Sequence, residues 1–291
     1  MDAIGSVFRA YDTWLSGSSD FAPEHLLEDW TDERFDPRRD SWLVRTPDGT
    51  AVAFGYVVVE SASAQDAFGI VDPSHHGRGV GGFLIDAMEA RADERAGDHP
   101  VLRFSASADD APAQDLALGR GFRLVRRFVH MERSLTDLPE APVPDGVTIA
   151  VYERGRDDHA LFDAKEAAFA GHFGHEPDDF ERWLRRLESM ETFSPDGVFI
   201  AWQGDGALGL VDTFRAGDVG WIAELGVRPE ARGRGIGSAL LVRGFERLAS
   251  LGLERARLNV DAENETGAVR LYERHGMTVR REWRVYEKAL G

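Results

Sequence analysis

Val227-Arg228-Pro229-Glu230-Ala231-Arg232-Gly233-Arg234-Gly235-Ile236-Gly237 follows an apolar run, Trp221 to Val227, and opens a helical pattern that continues through Leu251. It reads as strand, anion-binding turn and helix. Three glycines at alternate positions let the backbone approach a ligand with no Cβ in the way, and the following helix aims unpaired N–H groups at the same point. A diphosphate fits such a cradle. Arg232 and Arg234 add positive charge to a chain whose formal net charge is -17, so this basic patch runs against the composition.

The stretch occurs twice. Val71-Asp72-Pro73-Ser74-His75-His76-Gly77-Arg78-Gly79-Val80-Gly81 matches it in order, 156 residues upstream. Gly121-Phe122, Arg126, Glu132 and Leu135 then match Gly276-Met277, Arg281, Glu287 and Leu290 at a spacing of 155. Two long matches separated by one shift indicate duplication of a whole domain. Between the copies, Pro139, Pro142 and Pro144 lie in an acidic, weakly apolar stretch ending at Asp145-Gly146, the composition of a linker. The expected organisation is a first domain over residues 1–137, a linker over 138–145 and a second domain over 146–291.

With 291 residues, 43% hydrophobic, the chain is long enough for two cores. The excess of 51 Asp+Glu over 34 Lys+Arg disfavours nucleic acid and anionic membranes as partners and favours neutral or cationic small molecules. The absence of cysteine removes disulfides, thiolate metal sites and a cysteine nucleophile together. Met1 to Leu15 carries Asp2, Arg9 and Asp12 and has neither a signal-peptide core nor a spanning segment, so the cytoplasm is the expected compartment. A monomer or homodimer is expected.

Periodicity supplies the elements. Ile4, Val7, Phe8, Tyr11 and Leu15 recur at helical spacing, Pro23 to Trp30 reads as a short helix, and strands are expected at Ser41 to Arg45, Val52 to Glu60 and Ala67 to Val71. The second half begins with an alternation at Val147, Ile149 and Val151, which the first half lacks. Helices over Asp157 to Phe169 and Asp178 to Leu187 follow, then strands at Val198 to Trp202, Leu208 to Phe214 and Trp221 to Val227. The helix after the glycine turn is expected to bury Ile236, Leu240, Leu241, Phe245 and Leu248. A strand over Ala256 to Val260 and a helix starting near Asn264 complete the copy.

Nucleotide folds do not account for the turn. A Walker loop needs a lysine after its last glycine, where this chain has Ser238. The first copy contains Gly77-x-Gly79-x-x-Gly82, but the second has Ser238 at the third glycine, and neither half has the βαβ order of a dinucleotide fold.

Arg232-Gly233-Arg234-Gly235-Ile236-Gly237 does match the acyl-CoA motif of the GNAT superfamily of N-acetyltransferases, Arg/Gln-x-x-Gly-x-Gly/Ala. Asn259-Val260-Asp261-x-x-Asn264 and Leu271-Tyr272-Glu273-Arg274-His275-Gly276-Met277 resemble the family's next strand and helix. The first half resembles the family in its glycine turn and final strand only, and the tandem arrangement resembles mycothiol-synthase-like members. The resemblance implies an α+β fold of two tandem GNAT-like domains, each a central mixed sheet flanked by helices. The first domain would be degenerate and the second catalytic.

It also implies acetyl-CoA as cofactor and transfer of acetyl to a primary amine; with no cysteine to carry an acetyl intermediate, direct attack in a ternary complex is the simpler expectation. Leu225 and Val227 would pair with the pantetheine arm. Arg232, Gly233, Arg234, Gly235, Ile236, Gly237 and Ser238 would hold the diphosphate, with Asn264 beside them. The first copy's Val71, His76, Gly77, Arg78, Gly79 and Gly81 would keep a silent CoA site. Tyr272, on the inward face with Ala268, Leu271 and His275, is the expected proton donor, because a phenol of pKa about 10 is close to a thiol leaving group. Ala117 stands at its place in the first copy. Glu224 is the expected base; where some members place an acid, six residues before the valine, this chain has Trp221. His172 and His175 are candidates to line the acceptor pocket, and no third ligand is spaced with them for a metal. The alternative is a non-catalytic acyl-CoA sensor or scaffold. A longer acyl group and several amine classes remain open. Removal of residues 1–137 is expected to impair stability or substrate binding.

Overall fold

A computed structural model describes all residues except 1, 18, 20–33, 62, 191 and 265. The helix expected at Pro23 to Trp30 lies outside the described residues. The chain forms two compact units, residues 1–127 with 282–291, and residues 128–281.

The first unit contains helix α1 (Asp2–Ser16), a single turn at Pro37–Asp40, and strands β1 (Ser41–Arg45), β2 (Ala51–Val59) and β3 (Ala64–Val71). Helix α2 (Val80–Asp93), strand β4 (Val101–Ser107) and helix α3 (Ala111–Gly119) follow. Strand β5 (Arg123–Ser134) carries the chain into the second unit. That unit contains β6 (Thr148–Val151), α4 (Asp158–Phe169), α5 (Phe180–Ser189), β7 (Val198–Gln203), β8 (Gly206–Ala216) and β9 (Val219–Val227). It continues through α6 (Ile236–Ser250), β10 (Arg255–Asp261) and α7 (Ala268–Arg274), and β11 (Thr278–Ala289) returns the chain to the first unit.

The strand orders are β1-β2-β3-β4-β11 in the first unit and β5-β10-β9-β8-β7-β6 in the second. Both sheets are mixed. The β3–β4 and β9–β10 pairs are parallel and the other neighbours antiparallel. Short antiparallel connections make hairpins, whereas each parallel pair needs the crossover helix, α2 or α6, that follows the glycine turn. The extra edge strand β6 matches the alternation found only in the second half.

The linker does not separate the units, because packing follows strand pairing. Each unit takes the last strand of the other sequence copy: β11 pairs with β4, and β5 with β10. The same ion pair closes both ladders. Arg103 Nε donates to Glu287 Oε1 at 2.8 Å, and Arg257 Nε donates to Glu132 Oε2 at 2.7 Å, each between residues directly opposite one another. Met131, Val129 and Leu258 join the α6 core, where Ile236, Leu240, Leu241, Phe245 and Leu248 are all buried as their spacing requires. Tyr286, from the end of the chain, is 2% exposed in the core of the first unit, and its hydroxyl donates to Gln114 Oε1 at 3.2 Å.

Truncating Tyr286 to Ala should therefore destabilise the first unit by about 3–5 kcal/mol, as for other large buried aromatics, read by denaturant unfolding. A fragment 138–291 lacks Val129 and Met131 and should fail to give a cooperative melt; a soluble, cooperatively folded fragment would contradict the exchange.

Candidate active site

The cleft begins where a ladder stops. β9 and β10 pair only at Gly220 with Ala256 and Trp221 with Arg257. On its other side β9 keeps its antiparallel ladder with β8 to the end, broken by a bulge at which Asp212 faces Glu224 and Thr213 faces Ile222, leaving Ala223 extra. The Arg228 amide donates to Leu208 O at 2.9 Å, so it points to β8. By the period of two, Leu225 and Val227 turn their backbone groups the opposite way, into the gap.

A cavity of about 520 Å³ occupies that gap. Of the expected residues, Glu224, Leu225, Val227, Arg232, Gly233, Gly235, Ile236, Gly237, Ser238, Asn264, Tyr272 and His172 line it; Arg234 and His175 do not. Gly233 and Gly235 have φ of 75° and 86°, the left-handed region that a side chain disfavours. These turns bring the N-terminus of α6 to the cavity wall with its first amides free for an anion. At Gly226 a Cβ would lie 2.7 Å from the Ala168 Cβ and 2.9 Å from Phe169 Cε2, so glycine there lets the end of α4 touch β9.

The arginines of the motif are engaged within the protein. Arg232 donates from Nε to Val227 O at 3.1 Å and from Nη2 to Ala168 O at 3.0 Å, tying the turn to the last turn of α4. Arg234 donates to Gln203 Oε1 at 3.2 Å. Asn264 Oδ1 accepts from the Thr266 amide at 2.7 Å. This turn delays α7 to Ala268, four residues after the expected start.

Tyr272 is 6% exposed, and its hydroxyl has no hydrogen-bond partner among the described residues while its ring lines the cavity. Burial holds the phenol above its usual range, so it keeps its proton at any working pH and no longer matches a free thiol. Desolvation raises a thiolate at the same spot in the same direction. His172 lines the cavity edge-on to Phe169, and burial followed by the charge of Arg232 lowers its pKa. His175 turns to Glu166, Nε2 to Oε2 at 3.4 Å. Among the described residues no group of three His, Cys, Asp or Glu is placed to hold a metal ion, and no helix is long and apolar enough to cross a membrane.

Sequence reading missed Asp212 and Lys165. Lys165 Nζ lies 2.9 Å from Glu224 Oε1, and burial together with the charge of Glu224 pushes the Asp212 carboxyl up to about 7. The available signal was one acid inside the apolar strand Leu208 to Phe214.

The first unit holds a smaller cavity, about 320 Å³, lined by Val71, His76, Gly77, Gly79 and Gly81 but not by Arg78. Gly77 and Gly79 are again left-handed, and His76 Nε2 lies 3.1 Å from Val71 O, the place of Arg232 on Val227. The chemistry differs. The position of Glu224 is filled by Phe68, stacked on Phe8, and that of Tyr272 by buried Ala117. Tyr11 donates to Asp110 Oδ2 at 2.8 Å across this cavity.

The raised Asp212 has a sign that thermal melts can read. An acid whose pKa rises on folding binds its proton more tightly in the native state, so its contribution to stability falls as pH rises from about 4 to about 7 and is flat outside that window. Asp212→Asn should gain melting temperature relative to the parent chain across that window. A difference independent of pH would contradict the shift.

The sequence profile of the acetyltransferase (GNAT) family matches residues 6–122 and 159–277, so the first half carries more of the family pattern than its glycine turn and final strand. A mycothiol acetyltransferase of Streptomyces scabiei is 38% identical over 71% of this chain and 66% of its own length. One of Catenulispora acidiphila is 34% identical over 81% of this chain and 76% of its own. A GCN5-related N-acetyltransferase from Sphaerobacter thermophilus superposes with a TM-score of 0.86 at 32% identity, covering 99% of this chain and 91% of that one. A tandem GNAT protein from the clavulanic acid biosynthesis pathway has the same fold, with a TM-score of 0.75 at 16% identity, 100% of this chain and 95% of that one. With both halves matched by the family profile, the chain belongs to the acetyltransferase (GNAT) family and is an acyl-CoA-dependent acetyltransferase of tandem-domain type.

Proposed function

We propose that the second unit transfers acetyl from acetyl-CoA to the primary amine of a small acceptor, both bound at once. The observation that carries the reading is the gap between β9 and β10, where two residues of pairing give way to a cavity edged by free backbone and a helix N-terminus. Bound acetyl-CoA supplies an activated acetyl thioester. All other roles belong to this chain.

Leu225 and Val227 offer strand-like hydrogen bonds to the pantetheine amides, and the amides from Arg232 to Ser238 receive the diphosphate. Arg232 holds the turn against α4, and Asn264 shapes the wall through its own turn. Glu224 accepts the proton of the acceptor ammonium, leaving a neutral amine. Tyr272 holds, at its hydroxyl, the proton that the departing thiol needs; a phenol inside a cavity with no hydrogen-bond partner among the described residues favours this role over that of a sensor. His172 faces the acceptor, while His175 steadies α4 through Glu166. The first unit keeps the glycine turn without counterparts of Glu224 and Tyr272, and holds CoA more weakly and without turnover.

The relatives named mycothiol acetyltransferases make deacetylated mycothiol the first acceptor to test. Cationic amines come next, on the strength of the net charge of -17.

Titration calorimetry with acetyl-CoA should give two sites of unequal affinity. Gly237→Glu should abolish the tighter one and all turnover, because the new carboxylate faces the diphosphate. Gly237 is helical and its Cβ position meets only Leu271 at 3.5 Å and Val227 at 3.6 Å, so the fold survives. Gly81→Glu should abolish the weaker site alone. No heat of binding would refute the reading. Tyr272→Phe should lower kcat by about 10²–10⁴-fold, the range for loss of a general acid, with little change in acetyl-CoA affinity.

A further inference from the structure

Asp212 and Glu224 stand directly opposite one another on antiparallel β8 and β9, so their side chains leave the sheet on the same face with Cβ atoms roughly 4.5–5.5 Å apart. Two carboxylates at that separation on a partly buried surface repel unless a proton or a cation intervenes. One cation is present. Lys165 on α4, the helix packed on both strands, places Nζ 2.9 Å from Glu224 Oε1, so the cation sits on the Glu224 side of the pair. Asp212 is the member left to take the proton.

We propose that Asp212 is a positioning residue for the reaction: it keeps one proton within the Asp212–Glu224 pair, and its ionisation converts Glu224 into the base that deprotonates the acceptor. The functional half of this inference rests on the acetyl-transfer reading of the cleft; the pairing itself does not. With Asp212 neutral, the Glu224 carboxylate is paired with the Lys165 ammonium and meets no opposing charge from Asp212. Loss of the Asp212 proton to solvent sets two carboxylates against one ammonium and strengthens Glu224 as an acceptor. The acceptor's ammonium then gives up its proton: an N–H bond breaks with its electron pair left on nitrogen, an O–H bond forms on Glu224, and the neutral amine results.

The surroundings agree. The charged groups acting on Asp212 are Glu224 from β9, which disfavours its ionisation, and Lys165 from α4, which favours it. β7 presents Val198 opposite it, and the Thr213 amide at the bulge donates to its carboxyl. Burial outweighs the helping groups, placing the proton loss at about 7, within the range where an enzyme can use it.

The test is a ¹³C-carboxyl NMR titration of the full chain without acetyl-CoA or acceptor, followed by pH–rate profiles. The Asp212 resonance should titrate near pH 7. Glu224→Gln, which removes a like charge, should lower that midpoint by about one pH unit or more, and Lys165→Met, which removes the cation, should raise it. Both variants retain Asp212 and read it directly. With an amine that the chain acetylates, the rate should fall below pH 7; Asp212→Asn should remove that acid limb and lower the plateau about tenfold or more, and Asp212→Glu should restore the limb. An Asp212 resonance in the ordinary carboxylate range, a midpoint moved the same way by both variants, or an acid limb unchanged in Asp212→Asn would overturn the proposal. If the NMR shifts appear as expected and no primary amine is acetylated, it is the acetyl-transfer reading of the cleft that falls, not the pairing.

Discussion

A strand that runs on after its neighbour has left must find partners for its backbone, and β9 does so on one side only. Buried N–H and C=O groups without partners are costly, yet β9 passes from Trp221 to Val227 with β10 diverging beside it. The rest of the second unit accommodates this opening. The bulge at Ala223 lies just beyond the last β9–β10 pair, Gly226 lets α4 support the strand from one face, and α6 packs against the other. Arg232 occupies one of the carbonyls on that side, Val227 O.

The same opening organises the electrostatics. The bulge sets Asp212 across from Glu224 on the α4 face, where Lys165 meets them, while Tyr272 stands in the cavity between β9 and α7 with its proton held by burial. In the reaction proposed above, a phenol that keeps its proton would serve the departing thiol and a carboxylate beside Asp212 would serve the amine. The first unit retains the glycine turn but has Phe68 and Ala117 at the positions of Glu224 and Tyr272.

Much of this was legible in the residues. The apolar run into the glycine turn placed β9 and α6, and the i, i+4 spacing of Ala268 and Tyr272 set the tyrosine inward, because period and turn chemistry are local properties. The strand exchange was not legible for the reason that the repeat was: Glu132 and Glu287 are equivalent, so Arg103 and Arg257 are equally well served by either copy's last strand. Asp212 escaped because its meaning comes from a register twelve residues away across a bulge, and a bulge leaves no mark in hydrophobic alternation. Arg232 and Arg234 read as local positive charge at the turn, and the partners of their side chains, two carbonyls and Gln203, come from the fold.

Amide hydrogen exchange with and without acetyl-CoA tests the central claim most directly, since it reports on the backbone of β9 residue by residue. The Leu225 and Val227 amides and those from Gly233 to Ser238 should exchange freely in the apo protein and become strongly protected on adding acetyl-CoA, while Gly226 and Arg228, already bonded toward β8, should change little. Protection of Leu225 and Val227 in the apo protein, or no change there at saturating acetyl-CoA, would contradict the account.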